Sequence, residues 1–241
     1  MNRSSRLAIA AFSVLLSFPV LVSADEVVLW DNYPDDQFLP PWDVSSERDT
    51  QRADDTWVVD DAVLEGGDQE FGIEISSFEW IAAIDPRASY DVADFILLSS
   101  TGLAPDPNSA LVLSNLNYTV TPIDPDPDPS ATRDLFRGRI DFDIPITVDP
   151  GHYYVGARLV DSSSGRAGSV VAAKGSEIRG QTGAFFMGPS FGLDQWTPVS
   201  TLFGTSDNFE LAFRLNGFIV PEPASLVGLL FGSVFLLRRR R

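Results

Sequence analysis

Phe209-Glu210-Leu211-Ala212-Phe213-Arg214-Leu215-Asn216 carries a large apolar side chain at every second position, so Phe209, Leu211, Phe213 and Leu215 share one face of an extended chain. A repeat of two is that of a half-buried β-strand and does not fit the 3.6-residue repeat of a helix. Outward from this stretch, shorter runs of the same kind occur at Val27–Trp30, Thr56–Val59, Phe71–Ile75, Phe78–Ile84, Asp94–Leu98 and Tyr118–Thr121. Others follow at Leu135–Ile140, Ile144–Val148, His152–Leu159, Gly168–Ala173 and Ala184–Met187. Between them stand turn-formers: Gly66-Gly67, Asp85-Pro86, Pro105-Asp106-Pro107-Asn108, Asp149-Pro150-Gly151 and the serine-rich stretch from Asp161 to Arg166. Short strands at this spacing predict an all-β fold, an antiparallel β-sandwich of the jelly-roll kind, as one domain over residues 25–220. The insert Asp124-Pro125-Asp126-Pro127-Asp128-Pro129 is expected as an exposed polyproline II loop within it.

Composition supports a folded domain and removes many chemistries. Of 241 residues 44% are hydrophobic and 11% aromatic, enough to build a core. Cysteine is absent and His152 is the single histidine, which excludes disulfides, thiolate zinc sites, iron–sulfur clusters, cysteine nucleophiles and multi-histidine metal centres. A formal charge of −17 gives no footprint for nucleic acid.

Both ends read as processing segments. Residues 1–24 combine Arg3 and Arg6, an apolar stretch from Leu7 to Val22, and the small-residue approach Val22-Ser23-Ala24, the pattern of a signal peptide cut by signal peptidase between Ala24 and Asp25. At the other end, Pro221-Glu222-Pro223 precedes an apolar run from Ala224 to Leu237 and then Arg238, Arg239, Arg240 and Arg241. As a helix that run reaches roughly 21 Å, short of the ~30 Å hydrocarbon core, so it predicts a short hydrophobic helix with transient membrane insertion rather than a durable anchor. The arginines hold the extreme end on the cytoplasmic face and leave the domain on the other side. Removing both ends takes away six arginines and one acid and moves the net charge from −17 to −22.

These three elements in order resemble the PEP-CTERM sorting domain of exported bacterial proteins, over residues 221–241. The resemblance implies that an exosortase acts near Pro221, that the product is released or attached in the cell envelope, at the cell surface or in the extracellular matrix, and that the source is a Gram-negative maker of exopolysaccharide. A weaker likeness to a sandwich domain found ahead of such tails rests on Arg52-Ala53-Asp54-Asp55, Ile75-Ser76-Ser77-Phe78-Glu79-Trp80, Asp149-Pro150-Gly151-His152-Tyr153-Tyr154 and Asn208-Phe209-Glu210-Leu211-Ala212-Phe213. It bears on fold and not on activity.

No catalytic motif is present. His152 follows a turn at a strand start, no Gly-x-Ser-x-Gly elbow occurs, and Gly165 and Gly168 lack the lysine of a phosphate loop. Asn117-Tyr118-Thr119 fits a glycosylation sequon but reads as ordinary strand in a bacterium. No cofactor is expected, with structural calcium left open by acidic clusters at Asp31/Asp35/Asp36, Asp54/Asp55 and Asp60/Asp61, of which Asp31, Asp35, Asp54 and Asp55 are the candidate ligands. None of the clusters has EF-hand spacing. Trp42 and Trp196, in loop-like contexts, are candidate platforms for sugar rings, whereas Trp57 and Trp80 read as core. The expected function is that of an exported, non-enzymatic surface or extracellular-matrix protein. Alternatives are a carbohydrate-binding module for exopolysaccharide and, further off, a glycan-active enzyme using paired carboxylates.

Overall fold

The computed structural model describes residues 25–33, 42–49, 55–66, 71–84, 90–123, 134–161, 168–174, 180–205 and 209–221. The leader through Ala24, the Asp-Pro insert and the tail from Glu222 onward, including Pro223 and Arg238–Arg241, lie outside the described residues, as do Asp35 and Asp54.

In chain order the strands are β1 (Val27–Asp31), β2 (Trp42–Ser45), β3 (Glu47–Asp49), β4 (Trp57–Leu64), β5 (Phe71–Ile84), β6 (Tyr90–Thr101), β7 (Ala104–Pro105) and β8 (Leu111–Leu116). The second half supplies β9 (Thr119–Pro122), β10 (Asp134–Val148), β11 (Gly151–Asp161), β12 (Gly168–Lys174), β13 (Phe185–Gly188), β14 (Leu193–Pro198), β15 (Phe209–Leu211) and β16 (Phe213–Pro221). One α-helical turn, α1 (Val199–Leu202), and two 3₁₀ turns, Pro107–Ser109 and Pro189–Phe191, interrupt them. One sheet runs β1-β16-β5-β10-β9, with β12 joined to β5, β2 and β15; the other runs β14-β13-β4-β11-β6-β7, with β8 on β6 and β3 on β11. Every pairing is antiparallel except β3 on β11. The chain crosses between sheets from β4 to β5 to β6, and again from β10 to β11 to β12, so the expected all-β sandwich is what forms.

The core lies between the sheets. Phe78 of the first sheet sits 5.3 Å from Phe95 of the second, ring centre to ring centre, and stacks on Trp80 and Phe213 in its own sheet. Each such aromatic contributes about 1.5–3 kcal/mol by leaving water. The inner face of β5 changes parity along its length: Ile73 and Ile75 reach this core, and then Phe78, Trp80 and Ala82. A bulge makes the switch. The register of β16 on β5 slips between Asn216 and Gly217, and that of β10 on β5 slips between Asp141 and Ile146. A Cβ on Gly217 would stand 2.0 Å from the Glu74 carbonyl oxygen, so the close approach of the two backbones there requires glycine.

The quoted stretch differs from its expectation in two ways. It breaks at Ala212 into β15 and β16, and its second face is not open to solvent: Glu210, Ala212 and Asn216 are buried, Ala212 in a side cluster with Tyr33, Ile81 and Leu135. Strand β4 is likewise covered on both faces. Val58, Ala62 and Leu64 enter the main core, while Trp57 and Val59 join Ile96, Leu98, Tyr154 and Phe185 in a second apolar cluster. That two-sided burial leaves Asp60 and Asp61, in the middle of β4, with no exposed surface.

Candidate functional site

The ladder between β4 and β13 ends at Val59, opposite Phe185, so Asp60 and Asp61 meet the backbone of the segments around 180–182 and 209–211 instead. Asp60 Oδ2 accepts the Leu211 N–H at 2.6 Å, and Oδ1 accepts the N–H of Asp61 at 2.9 Å. Asp61 Oδ2 accepts the Gln181 N–H at 2.5 Å and the Thr182 N–H at 3.3 Å, and lies 2.7 Å from His152 Nε2. From the end of β1, Asn32 Nδ2 donates to Glu210 Oε2 at 3.1 Å and to Asp60 Oδ2 at 3.5 Å. Asp60, Asp61 and Glu210 are all buried, and each offers an oxygen within 4.8 Å of the others.

Burial pushes the Asp60 carboxyl well above the usual carboxylate range, and the neighbouring Glu210 and Asp61 push it the same way. The two backbone N–H groups on it act in the opposite direction and are outweighed. Chemically the cluster is a dry set of hard oxygen ligands with one imidazole behind Asp61.

His152 is thus a partly covered strand residue held by Asp61 and packed beside the Tyr154 ring at 5.1 Å. Of the four candidate calcium ligands, Asp31 and Asp55 fall among the described residues, and each is held by a different arginine. Asp31 pairs with Arg214 through contacts of 2.7 and 3.1 Å, and Asp55 pairs with Arg158. Asp25 is exposed just ahead of β1, and Pro221 closes β16. Trp42 opens β2, paired through its backbone with Ala172. Trp196, on β14, is partly buried against the cluster around Trp57 and Tyr154.

A surface cavity of about 340 Å³ lies between β8 and the bulged part of β10, lined by Asn115, Asn117, Asp141 and Asp143 with Phe142 and Ile144. Glu210 and Asn32 were beyond sequence reasoning, since each joins Asp60 only through the fold. The usable clue was Asp60-Asp61 interrupting the apolar run Trp57–Leu64. Among the described residues no helix is long and apolar enough to cross a membrane. Comparison with protein-family models, curated proteins and solved structures matches nothing to this chain.

Proposed function

We propose that this chain is an exported, non-enzymatic β-sandwich of the cell surface or extracellular matrix, freed from its leader at Ala24-Asp25 by signal peptidase and sorted by an exosortase through the segment that begins at Pro221. The observation that carries this reading is the pairing of the first strand with the last. Val27 lies opposite Gly217 and Asp31 opposite Arg214, so the start of β1 and the end of β16 leave the same end of one sheet. A leader and a hydrophobic tail attached there approach one bilayer from one side, with the folded domain hanging away from it. Strand β16 runs through Pro221, the first residue of the Pro-Glu-Pro segment, so the strand ends where the proposed sorting segment begins.

The decisive experiment replaces Pro221, Glu222 and Pro223 together by alanine in a host with an active exosortase. The apolar run and the arginines are untouched, so delivery to the membrane persists. The variant is expected to accumulate uncut in the membrane fraction while the wild type is processed. Identical fractionation of the two would show the tail to be a plain anchor.

A second reading, a module that binds exopolysaccharide, draws support from the cavity between β8 and β10. Its volume and its amide and carboxylate lining suit a sugar ring. Reproducible binding on a glycan array that is lost in Asn117→Ala would favour it.

A further inference from the structure

We propose that Asp60, Asp61 and Glu210, together with Asn32, hold one divalent cation of the hard, oxygen-seeking kind represented by Ca²⁺. The inference does not depend on how the chain is sorted. Three carboxylates contribute oxygens that all lie within 4.8 Å of one another, about twice the ~2.4 Å of a calcium–oxygen bond, so one ion reaches all three.

The independent observation is Asn32. Its side chain is nearly enclosed, at 5% exposure, and its amide is aimed into the cluster, with Nδ2 on both Glu210 and Asp60; yet its Oδ1 is buried without a hydrogen-bond donor. Asp61 Oδ1 is buried and donorless as well. Two acceptor atoms without protons to accept, beside three acidic groups, mark a local shortage of positive charge. A half-turn of the Asn32 amide exchanges Nδ2 for Oδ1. It then faces Asp60 and Glu210 with a neutral carbonyl oxygen, the ordinary companion of carboxylates around calcium.

The donor set also selects the ion. Oxygen ligands on three separate segments form an irregular, adaptable shell, which suits Ca²⁺ better than the strict octahedron of Mg²⁺, and it lacks the thiolates or multiple imidazoles that draw zinc. Bound there, the ion joins the end of β1, the middle of β4 and β15, positions 32, 60 and 210 of the chain. In a protein with no cysteine, it does the work of a cross-link.

The test uses the full chain, stripped with EDTA and dialysed. Calorimetric titration with CaCl₂ alone is expected to show one site per chain, and the melting temperature to rise by about 5 °C at a hundredfold excess over Kd, with a smaller response to MgCl₂. The double variant Asp60→Asn with Glu210→Gln should lose both the binding heat and the shift while melting in EDTA no lower than wild type, because two buried like charges are gone. Should that variant fail to fold, Asn32→Ala removes no charge and should weaken Ca²⁺ at least about tenfold, a change of 1.4 kcal/mol. Absence of a one-site isotherm in the wild type, an equal shift in the double variant, or unchanged affinity in Asn32→Ala would each overturn the site.

Discussion

Asp94 joins β6 to three other strands of its sheet, through Arg48 of β3, Asn115 of β8 and Arg158 of β11. It is fully buried on β6 and faces two guanidinium groups, Arg158 Nε at 2.9 Å and Arg48 at 2.9 and 3.0 Å, and it also accepts the Asn115 N–H at 2.9 Å. Asn115 has a positive φ of 58°, a backbone state for a non-glycine residue that this hydrogen bond helps to hold. Asp94→Asn leaves the buried Arg158, set over the Trp57 ring, to the exposed Asp55, and we expect a loss of about 3 kcal/mol in urea unfolding. Asp31→Asn, at the half-exposed pair with Arg214, should cost no more than about 1 kcal/mol by the same measurement. Tyr118 gives a pH test. Burial, aided by Asp91, pushes its phenol up to about 12, and the hydroxyl donates to the Tyr90 carbonyl at 2.9 Å. The unfolded phenol ionises near 10, so this contribution is intact below pH 10 and is lost as the pH rises toward 12. The whole interval corresponds to about 2.7 kcal/mol, and solvent screening of a half-buried ring brings the effect below that. In Tyr118→Phe the decline in stability over this range should be shallower, and absorbance titration should lose one late-ionising phenol.

Elements show how far a repeat of two carries. It marks β1, β4, β6, β9, β11, β12 and β13 near their observed positions; in β4, β6, β11 and β13 apolar positions face a core, whereas β9 is exposed along its length. It divides β5 and β10 into two runs apiece, at Ser76-Ser77 and at Asp141–Asp143, beside bulges that reset the alternation while the strands continue. Leu111–Leu116 and Leu193–Pro198 carry no such signal: β8 and β14 hold no fully buried residue, so nothing enforces alternation in their sequence. The site followed the same logic. Asp60 and Asp61 are neighbours in sequence and stood out as an acidic pair, whereas Glu210 occupied the polar slot of an alternating strand and looked solvent-facing until β15 was placed beside β4. The bulge itself is testable. Gly217→Ala pushes a methyl into the Glu74 carbonyl, an obstacle of backbone that cannot rotate away, and should lower stability by about 3 kcal/mol in denaturant unfolding. Gly72→Ala, whose added carbon would meet only ordinary contacts from 3.6 Å outward, serves as the control and should change little.

On the scale of the whole molecule, the placement of β16 between β1 and β5 governs how the domain answers a pull. Tension applied through Asp25 and Pro221 enters at neighbouring ends of two antiparallel strands, so their hydrogen bonds meet the load one after another and the pair peels apart like a zip. Tension between Pro221 and Thr121 is different. Pairing places Pro221 opposite Phe71 at one end of β5, while Phe136 bridges Ala82 at the other end to Pro122, the neighbour of Thr121. The load then runs from β16 through β5 and β10 to β9, along the strands, so the hydrogen bonds of each ladder it crosses resist together. In an optical trap the first geometry should yield at the lower force and the second at a distinctly higher one. A pull between Pro221 and the far edge of the sheet finds the strong axis, while a grip on the adjoining ends of β1 and β16 finds the weak one.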